Sequence, residues 1–394
     1  MNILYYYEYN ISPTRGGTER VTSVIANELN KRGFCCMYIS MLNHGDIEIN
    51  KDTKQYYLPN NKCLESIENE VYLHAFLQEH NIKIIINQDA TNFASAFFSK
   101  NRFPEVRIIS CIHYNLWGGI NYIGDTFKYT YIHGDISYIT YLIKQTLIPF
   151  YKLRAIHRLS KYYRQLVENS DSVIVLSEDD RLEYPVKEKS SIYTIANPIT
   201  IEYPASLPTK EKIILWVGRM TFSPKRADYL LKAWHQIQDN HPDWRVEMLG
   251  EGNCLEFYKD EAKRLGLRNI YFRGRVNPIP YYERASIFCM TSTYEGFGLV
   301  LTEAMSYGCV PIAFDSFAAV HDIITNKKDG YLVEPFSVCK YAKTLESLMQ
   351  DEDLRLAISH NCIDKIKNFS LSNIVDKWEC LFKEYVSGDC NHSV

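Results

Sequence analysis

The 394-residue chain has little of what would mark several common protein classes. Its 44 Lys and Arg residues stand against 47 Asp and Glu, so it lacks the basic excess of a general nucleic-acid binder. None of its 11 cysteines stands in a C-x-x-C pair, and no His/Cys cluster has zinc-ligand spacing. Cys35 and Cys36 adjoin, a poor geometry for a structural disulfide, and scattered thiols of this kind fit a reducing cytosol. No run approaches the about 18 apolar residues of a membrane-crossing helix. The first residues, Met1-Asn2-Ile3-Leu4-Tyr5-Tyr6-Tyr7-Glu8, lack the basic and long apolar stretches of a signal peptide and read as a strand. There is no tandem repeat, no low-complexity tract and no G-x-G-x-x-G fingerprint. A cytoplasmic protein is expected.

What the chain does have is apolar material, 46% of residues, in a repeating arrangement. Short β-rich runs at residues 3–7, 34–40, 82–87, 106–113 and 173–177 alternate with helical patterns at 18–32 and 71–80. A polar, Pro-containing stretch from Tyr203 to Lys212 reads as a linker. The pattern then restarts, with strands at 213–217, 245–249, 270–273, 287–291 and 310–313. Helical patterns at 227–240, 255–265 and 299–307 lie between them, with a short helix from Tyr281. Hydrophobic strands alternating with helices predict parallel sheets covered on both faces. The expected architecture is α/β, with two facing doubly wound Rossmann-like domains and an interdomain cleft. The boundaries read as 1–200, 201–372, and 373–394 for a terminal helix packing back on the first domain, with a tail. Ligands of such sheets bind at the carboxyl ends of strands.

Chemistry concentrates in strand-end loops. Tyr294-Glu295-Gly296-Phe297-Gly298 precedes a helix, whose N-terminal N–H groups and dipole make an anion site suited to a diphosphate. Glu303, about one turn in, is placed for ribose hydroxyls, and Glu295 for a sugar. A plain glycine-rich turn with a surface glutamate is the competing account. Gly218-Arg219 ends another strand and Lys225 follows, two cations able to clamp a diphosphate; a solvated basic loop also containing Arg226 is the alternative. In the first half, Gly16 and Gly17 open a helix, and His113 ends a strand beside Tyr114 and Asn115. Both admit structural readings, as a tight turn and a hydrogen-bonded histidine.

Together these residues resemble glycosyltransferase family 4, retaining transferases of the two-domain GT-B type. The likeness runs from the Gly16-Gly17 turn to the C-terminal helix. Its most specific part is Glu295-Gly-Phe-Gly-Leu-Val-Leu-Thr-Glu303, continuing through Ala304 to Pro311. Gly218-Arg219…Lys225, Gly250-Glu251-Gly252 and Phe272-Arg273-Gly274-Arg275-Val276 support it. The resemblance implies that Arg219 and Lys225 hold the donor diphosphate and Glu303 the ribose. Glu295 and the backbone from Gly296 to Leu299, including Phe297 and Gly298, would hold the sugar and phosphates. Gly250 belongs to the same donor site, and Arg275-Val276 would contact the base. Gly16 and Gly17 would approach the donor phosphate, and His113 would lie beside the reacting sugar. The Arg219-to-Lys225 interval is one residue longer than the commonest form, so either Lys225 or Arg226 makes the phosphate contact. Catalytic roles are expected for His113, Arg219, Lys225 and Glu295.

No Asp-x-Asp motif lies in a suitable strand-end loop, so transfer without metal or other cofactor is expected, Arg219 and Lys225 replacing the divalent ion. The resemblance implies front-face attack, the leaving phosphate taking the acceptor proton. The expected donor is a nucleotide sugar, UDP-linked on family frequency, carrying a hexose or N-acetylhexosamine. The expected acceptor is a glycan or lipid-linked sugar of bacterial surface polysaccharide, such as capsule or O-antigen of lipopolysaccharide. A nucleotide-sugar epimerase of similar fold and a non-catalytic nucleotide-sugar-binding protein stay open. Residues 129–167 carry six Lys and Arg with apolar residues recurring at helical spacing after Pro149. That stretch reads either as peripheral contact with the inner face of the cytoplasmic membrane or as an ordinary helix packed on the sheet.

Overall fold

The computed structural model describes residues 1–43, 45, 53–132, 134–204 and 206–387. Position 205 of the expected linker, position 133 of the basic stretch and the 388–394 tail lie outside the described residues. The first sheet has seven strands: β1 (Asn2–Tyr6), β2 (Cys35–Ser40), β3 (Lys54–Tyr57), β4 (Ile82–Asn87), β5 (Arg107–Cys111), β6 (Ser172–Val175) and β7 (Ile192–Thr194). Their order is β3-β2-β1-β4-β5-β6-β7, and every pairing is parallel. The second sheet has β8 (Glu211–Val217), β9 (Arg245–Leu249), β10 (Ile270–Gly274), β11 (Ala285–Met290), β12 (Val310–Phe314) and β13 (Tyr331–Val333). Its order is β10-β9-β8-β11-β12-β13, again parallel throughout. Both sheets are of the doubly wound Rossmann-like kind.

The central strands are apolar because both faces are covered. Leu4, Ile39, Ile85 and Ile108 are buried, and Leu73, Phe76 and Leu77 of the helix Ile67–Glu79 cap the same core. Full burial of each such side chain contributes roughly 1.5–3 kcal/mol. β8 begins at Glu211, so the last two residues of the expected linker belong to the sheet.

Contacts divide the chain into two compact units, each discontinuous in sequence. The first comprises Met1–His113, His157–Thr200 and Phe369–Val394; the second comprises Tyr114–Ile156 and Ile201–Asn368. The helix Leu371–Ser387 seals the first unit. Its Phe382 ring lies 5.8 Å from that of Phe34, and Arg32 pairs with Asp376 at 2.5 Å and Glu379 at 3.0 Å. Residues 114–156, which the sequence pattern assigned to the first domain, have their contacts in the second unit instead. The reason is specific. Arg226 pairs with Asp125 at 3.1 Å, the Tyr122 hydroxyl donates to the Ser316 carbonyl at 3.1 Å, and Tyr129 packs 5.4 Å from Phe222.

Candidate functional site

In the second sheet the chain runs outward from β8 through β9 to β10, then restarts at β11 on the other side of β8. The loops after β8 and β11 therefore flank the point where the strand order reverses, the usual ligand position in such sheets. Those two loops carry Arg219, Lys225 and Glu295.

Lys225 Nζ lies 2.5 Å from Glu295 Oε1, and Ser292 Oγ donates to the same oxygen at 2.6 Å. Neither bond ends on Oε2. Backbone bonds lock the loops together. The Thr293 N–H donates to the Pro224 carbonyl at 2.8 Å, and the Thr291 hydroxyl donates to the Lys225 carbonyl at 3.2 Å. Trp216 Nε1 in turn donates to Thr291 Oγ1 at 3.1 Å.

Arg226 plays a different part from its neighbour. Its side chain is 3% exposed, paired with Asp228 at 2.9 Å and with Asp125, and its guanidinium lies 4.6 Å from the Phe222 ring centroid and 4.3 Å from that of Tyr229. Burial opposes the charge on both members of the pair, but their mutual hydrogen bonds win: the Arg226 pKa is raised and that of Asp228 lowered. Arg226 is thus committed to holding the loop. Arg219 is exposed, with no ion-pair partner among the described residues.

The glycines after β9 serve backbone approach. The Gly218 N–H donates to the Leu249 carbonyl at 3.0 Å, and the Met220 N–H to the Glu251 carbonyl at 2.8 Å. A Cβ on Gly250 would lie 1.8 Å from the Gly218 carbonyl oxygen, at a φ of +132°. Only glycine fits there. Arg275 and Glu251 are 3.6 Å apart at the surface, and Val276 beside them is exposed.

Gly298 is left-handed, with φ of 96°, and starts the helix Leu299–Ser306. The first N–H groups of such a helix lack partners further back in the helix, and the Phe297 side chain before it is buried. Glu303 is 1% exposed, and its Oε2 accepts from the Tyr282 hydroxyl at 3.0 Å. A buried carboxylate of this kind is an acceptor for hydroxyl groups.

The first sheet has its own reversal, between β1 and β4. Gly16 precedes the helix Gly17–Lys31 in the loop after β1, and a Cβ there would meet Glu19 Oε2 at 2.4 Å. Arg15 pairs with Glu19 at 3.6 Å and lies over the Tyr9 ring. His113 Nε2 contacts Gln88 Oε1, while its Nδ1 has no hydrogen-bond partner among the described residues. Burial pushes its imidazole down to about 4, so it is neutral near pH 7. Burial, with Glu8 adding to it, raises the neighbouring Asp89 to about 6.

Sequence reading missed Tyr282, Ser292 and Asp125. Ser292 is three residues before Glu295 and was within reach of the motif; the other two come from elements remote in sequence. Among the described residues no helix is long and apolar enough to cross a membrane.

Residues 200–365 match the family model described as glycosyl transferases group 1. The chain is 28% identical over 391 residues to an uncharacterized glycosyltransferase of Haemophilus influenzae, covering 96% of this chain and 99% of that one. It is 26% identical over 218 residues to a PP-undecaprenol-linked GalNAc alpha-1,4-N-acetyl-D-galactosaminyltransferase of Campylobacter jejuni, covering 54% and 60%. The crystal structure of Anabaena HepE in complex with UDP superposes with a TM-score of 0.72 at 16% identity, covering 98% and 100%, a likeness of fold. Residues 200–365 are thus similar to the group 1 glycosyl transferases, and the two Rossmann-like units have the GT-B architecture.

Proposed function

We propose that the chain is a retaining, metal-independent glycosyltransferase. It moves a hexose or N-acetylhexosamine from a UDP-linked donor to a glycan or lipid-linked acceptor of bacterial surface polysaccharide. The observation that carries this reading is the pairing of Lys225 with Glu295 across the two loops at the strand-order reversal, beside the open cation Arg219. The group 1 match and the name of the Campylobacter relative support transfer and a polyprenyl-diphosphate acceptor. The UDP complex of a structure with the same fold supports the base.

In this reading Arg219 and Lys225 hold the donor diphosphate, together with the N–H groups from Gly296 to Leu299. As the sugar–phosphate bond breaks, negative charge grows on the leaving diphosphate, and these fixed donors stabilise it without reorganising. The burial of Arg226 and its two carboxylates support Lys225 as the phosphate cation. Glu295 keeps Oε2 for a sugar hydroxyl while Oε1 holds Lys225 and Ser292. Glu303 accepts from the ribose, oriented by Tyr282. Arg275-Val276 borders the base. His113, neutral, donates or accepts one hydrogen bond to a sugar hydroxyl rather than supplying charge. The leaving phosphate takes the acceptor proton on the same face.

The test is a thermal-shift screen of nucleotide diphosphates and their sugars, followed by transfer assays with NMR of the product anomer. UDP raises the melting temperature because it binds only the native state, and the product keeps the donor's anomeric configuration. An inverted product, or activity lost to a chelator and restored by manganese, refutes the mechanism.

A further inference from the structure

Tyr122 and Asp125 stand where the short helix Gly118–Asn121 gives way to the helix Ile123–Ile132, remote in sequence from the loops after β8 and β11. In the fold each reaches one of those loops. On the Lys225 side the link is Arg226, which follows Lys225 directly. Its guanidinium lies 3.1 Å from Asp125 Oδ1. Arg226 has a φ of 46°, a left-handed backbone that is uncommon outside glycine and persists where surrounding groups hold it. Phe222, Asp228 and Tyr229, which also hold it, are its neighbours in sequence, whereas Asp125 is brought to it by the fold. Tyr129, further along the same helix, fixes the approach. Its ring packs 5.4 Å from that of Phe222, and its hydroxyl accepts from Asn253 Nδ2 at 3.0 Å.

On the Glu295 side the link is a relay of hydrogen bonds. The Tyr122 hydroxyl donates to the Ser316 carbonyl at 3.1 Å, and the Ser316 hydroxyl donates to the Ser292 carbonyl at 2.8 Å. The Ser292 hydroxyl ends on Glu295 Oε1. The Tyr122 ring also lies parallel to that of Tyr294, the residue before Glu295, with centroids 6.1 Å apart and planes within 2°. Gly118 abuts the same side chain: a Cβ there would lie 2.7 Å from Tyr294 Cγ.

Lysine has a flexible stem and a point charge, so its ion pair with a glutamate stays loosely placed unless other groups fix it. Thr291 and Thr293 tie the two loops through the carbonyls of Lys225 and Pro224. Those ties stop just short of Arg226 and Tyr294. Asp125 and Tyr122 take hold at these next residues, and the backbone between them joins the two holds into one brace. Contacts that served to fasten the segment alone could end anywhere on the second unit; these end beside both members of the pair. We propose that Tyr122 and Asp125 are positioning residues that set the spacing of Lys225 and Glu295 during sugar transfer. Their role rests on the transfer reading, because charge growing on a leaving diphosphate is best met by donors that need not move.

The experiment pairs steady-state kinetics with amide hydrogen exchange on the full chain. Asp125→Ala and Tyr122→Ala are each expected to lower kcat about ten- to hundredfold while the donor KM stays within about threefold. Thr126→Ala, at an exposed position of the same helix, leaves both constants unchanged. In a Lys225→Ala background, Asp125→Ala lowers kcat by less than about threefold, because the group it positions is gone. An independent stabilising role would give the full loss again. Without any donor, amide exchange rises at least about tenfold at 219–226 in Asp125→Ala and at 292–298 in Tyr122→Ala. Asp125→Asn keeps the shape, loses the charge and shows the same changes, should the alanine variant melt below the assay temperature. Two results overturn the proposal: unchanged exchange in both loops, or the full loss of kcat repeated in the Lys225→Ala background. A wild type that neither binds UDP nor transfers sugar counts against the transfer reading alone, and the exchange measurement still decides the brace.

Discussion

The two sheets reverse strand order in the same way, yet the loops at the two reversals are built by opposite means. At β8 and β11 the construction is close-packed and charged: Gly218 and Gly250 meet backbone to backbone, Arg226 is clamped by two carboxylates, and Lys225 faces Glu295. At β1 and β4 it is looser: Gly16 faces only the end of the Glu19 side chain, which pairs with Arg15, and Gln88 after β4 contacts the neutral His113 that follows β5. A rigid frame bearing cations suits a diphosphate whose charge must be met without rearrangement. A buried neutral histidine suits hydroxyl groups, whose recognition depends on hydrogen bonds rather than charge.

The contrast can be broken first at the glycines. Gly250→Ala forces a Cβ onto a carbonyl oxygen in a left-handed backbone, and unfolding by urea should show a loss of about 4 kcal/mol or more. An unchanged midpoint would mean that the loops after β8 and β9 are free to part. Second, Lys225→Ala and Arg219→Ala should each lower kcat/KM about a hundred- to thousandfold with little change in melting temperature, whereas Arg226→Lys should lower the melting temperature through loss of its forked bonds. Equal effects of all three on transfer would erase the distinction between clamp and binder.

Third, the reversal in the first sheet carries two opposed titrations. The His113 pKa is lowered from 6.5 to about 4, so its neutral form is favoured in the fold and stability falls as pH drops through that window. Asp89 is raised from 3.8 to about 6, so its contribution favours the fold at low pH and is lost as pH rises through 6. The two nearly cancel. Asp89→Asn removes one of them, and urea unfolding of this variant should then lose up to about 3 kcal/mol between pH 6.5 and pH 4 relative to wild type. A variant that tracks wild type across that range refutes the assignment. The smallest effect is expected for Gly16→Ala. It asks only that the Glu19 carboxylate swing aside and should cost about 1 kcal/mol or less in the same assay.

The buried strands were legible because a strand covered on both faces is a plain apolar run, as Ile82–Asn87 and Ile213–Val217 are. Lys54–Tyr57, Ile192–Thr194 and Tyr331–Val333 were not, since short edge strands with half-polar faces carry no such run. The Tyr138–Thr146 helix has Ile139, Leu142 and Ile143 at helical spacing, yet none of its residues is buried, so its pattern did not mark a core-facing element. In the site, Glu295-Gly-Phe-Gly and Glu303 stood out because the turn and helix start that place them are local. Arg226 and Lys225 adjoin, so spacing could not separate them; the separation comes from Asp125, which is 101 positions from Arg226 in the chain (226 minus 125) and meets it only in the fold. Tyr282 beneath Glu303 depends in the same way on two elements that no spacing rule links.

The helix Leu371–Ser387 bears on how the protein is made. The first unit needs Trp378, Leu381 and Phe382 to close its core, and Arg32 and Phe34 wait for partners more than 300 residues downstream. Domains generally mature on the ribosome in the order of synthesis. Here that order is reversed: the strands translated first stay unfinished until almost the last helix has emerged, so the second unit is the first able to complete itself. The nascent first sheet spends nearly the whole of translation with an uncovered groove. A ribosome halted before residue 371 would hold a folded second unit and an open first one.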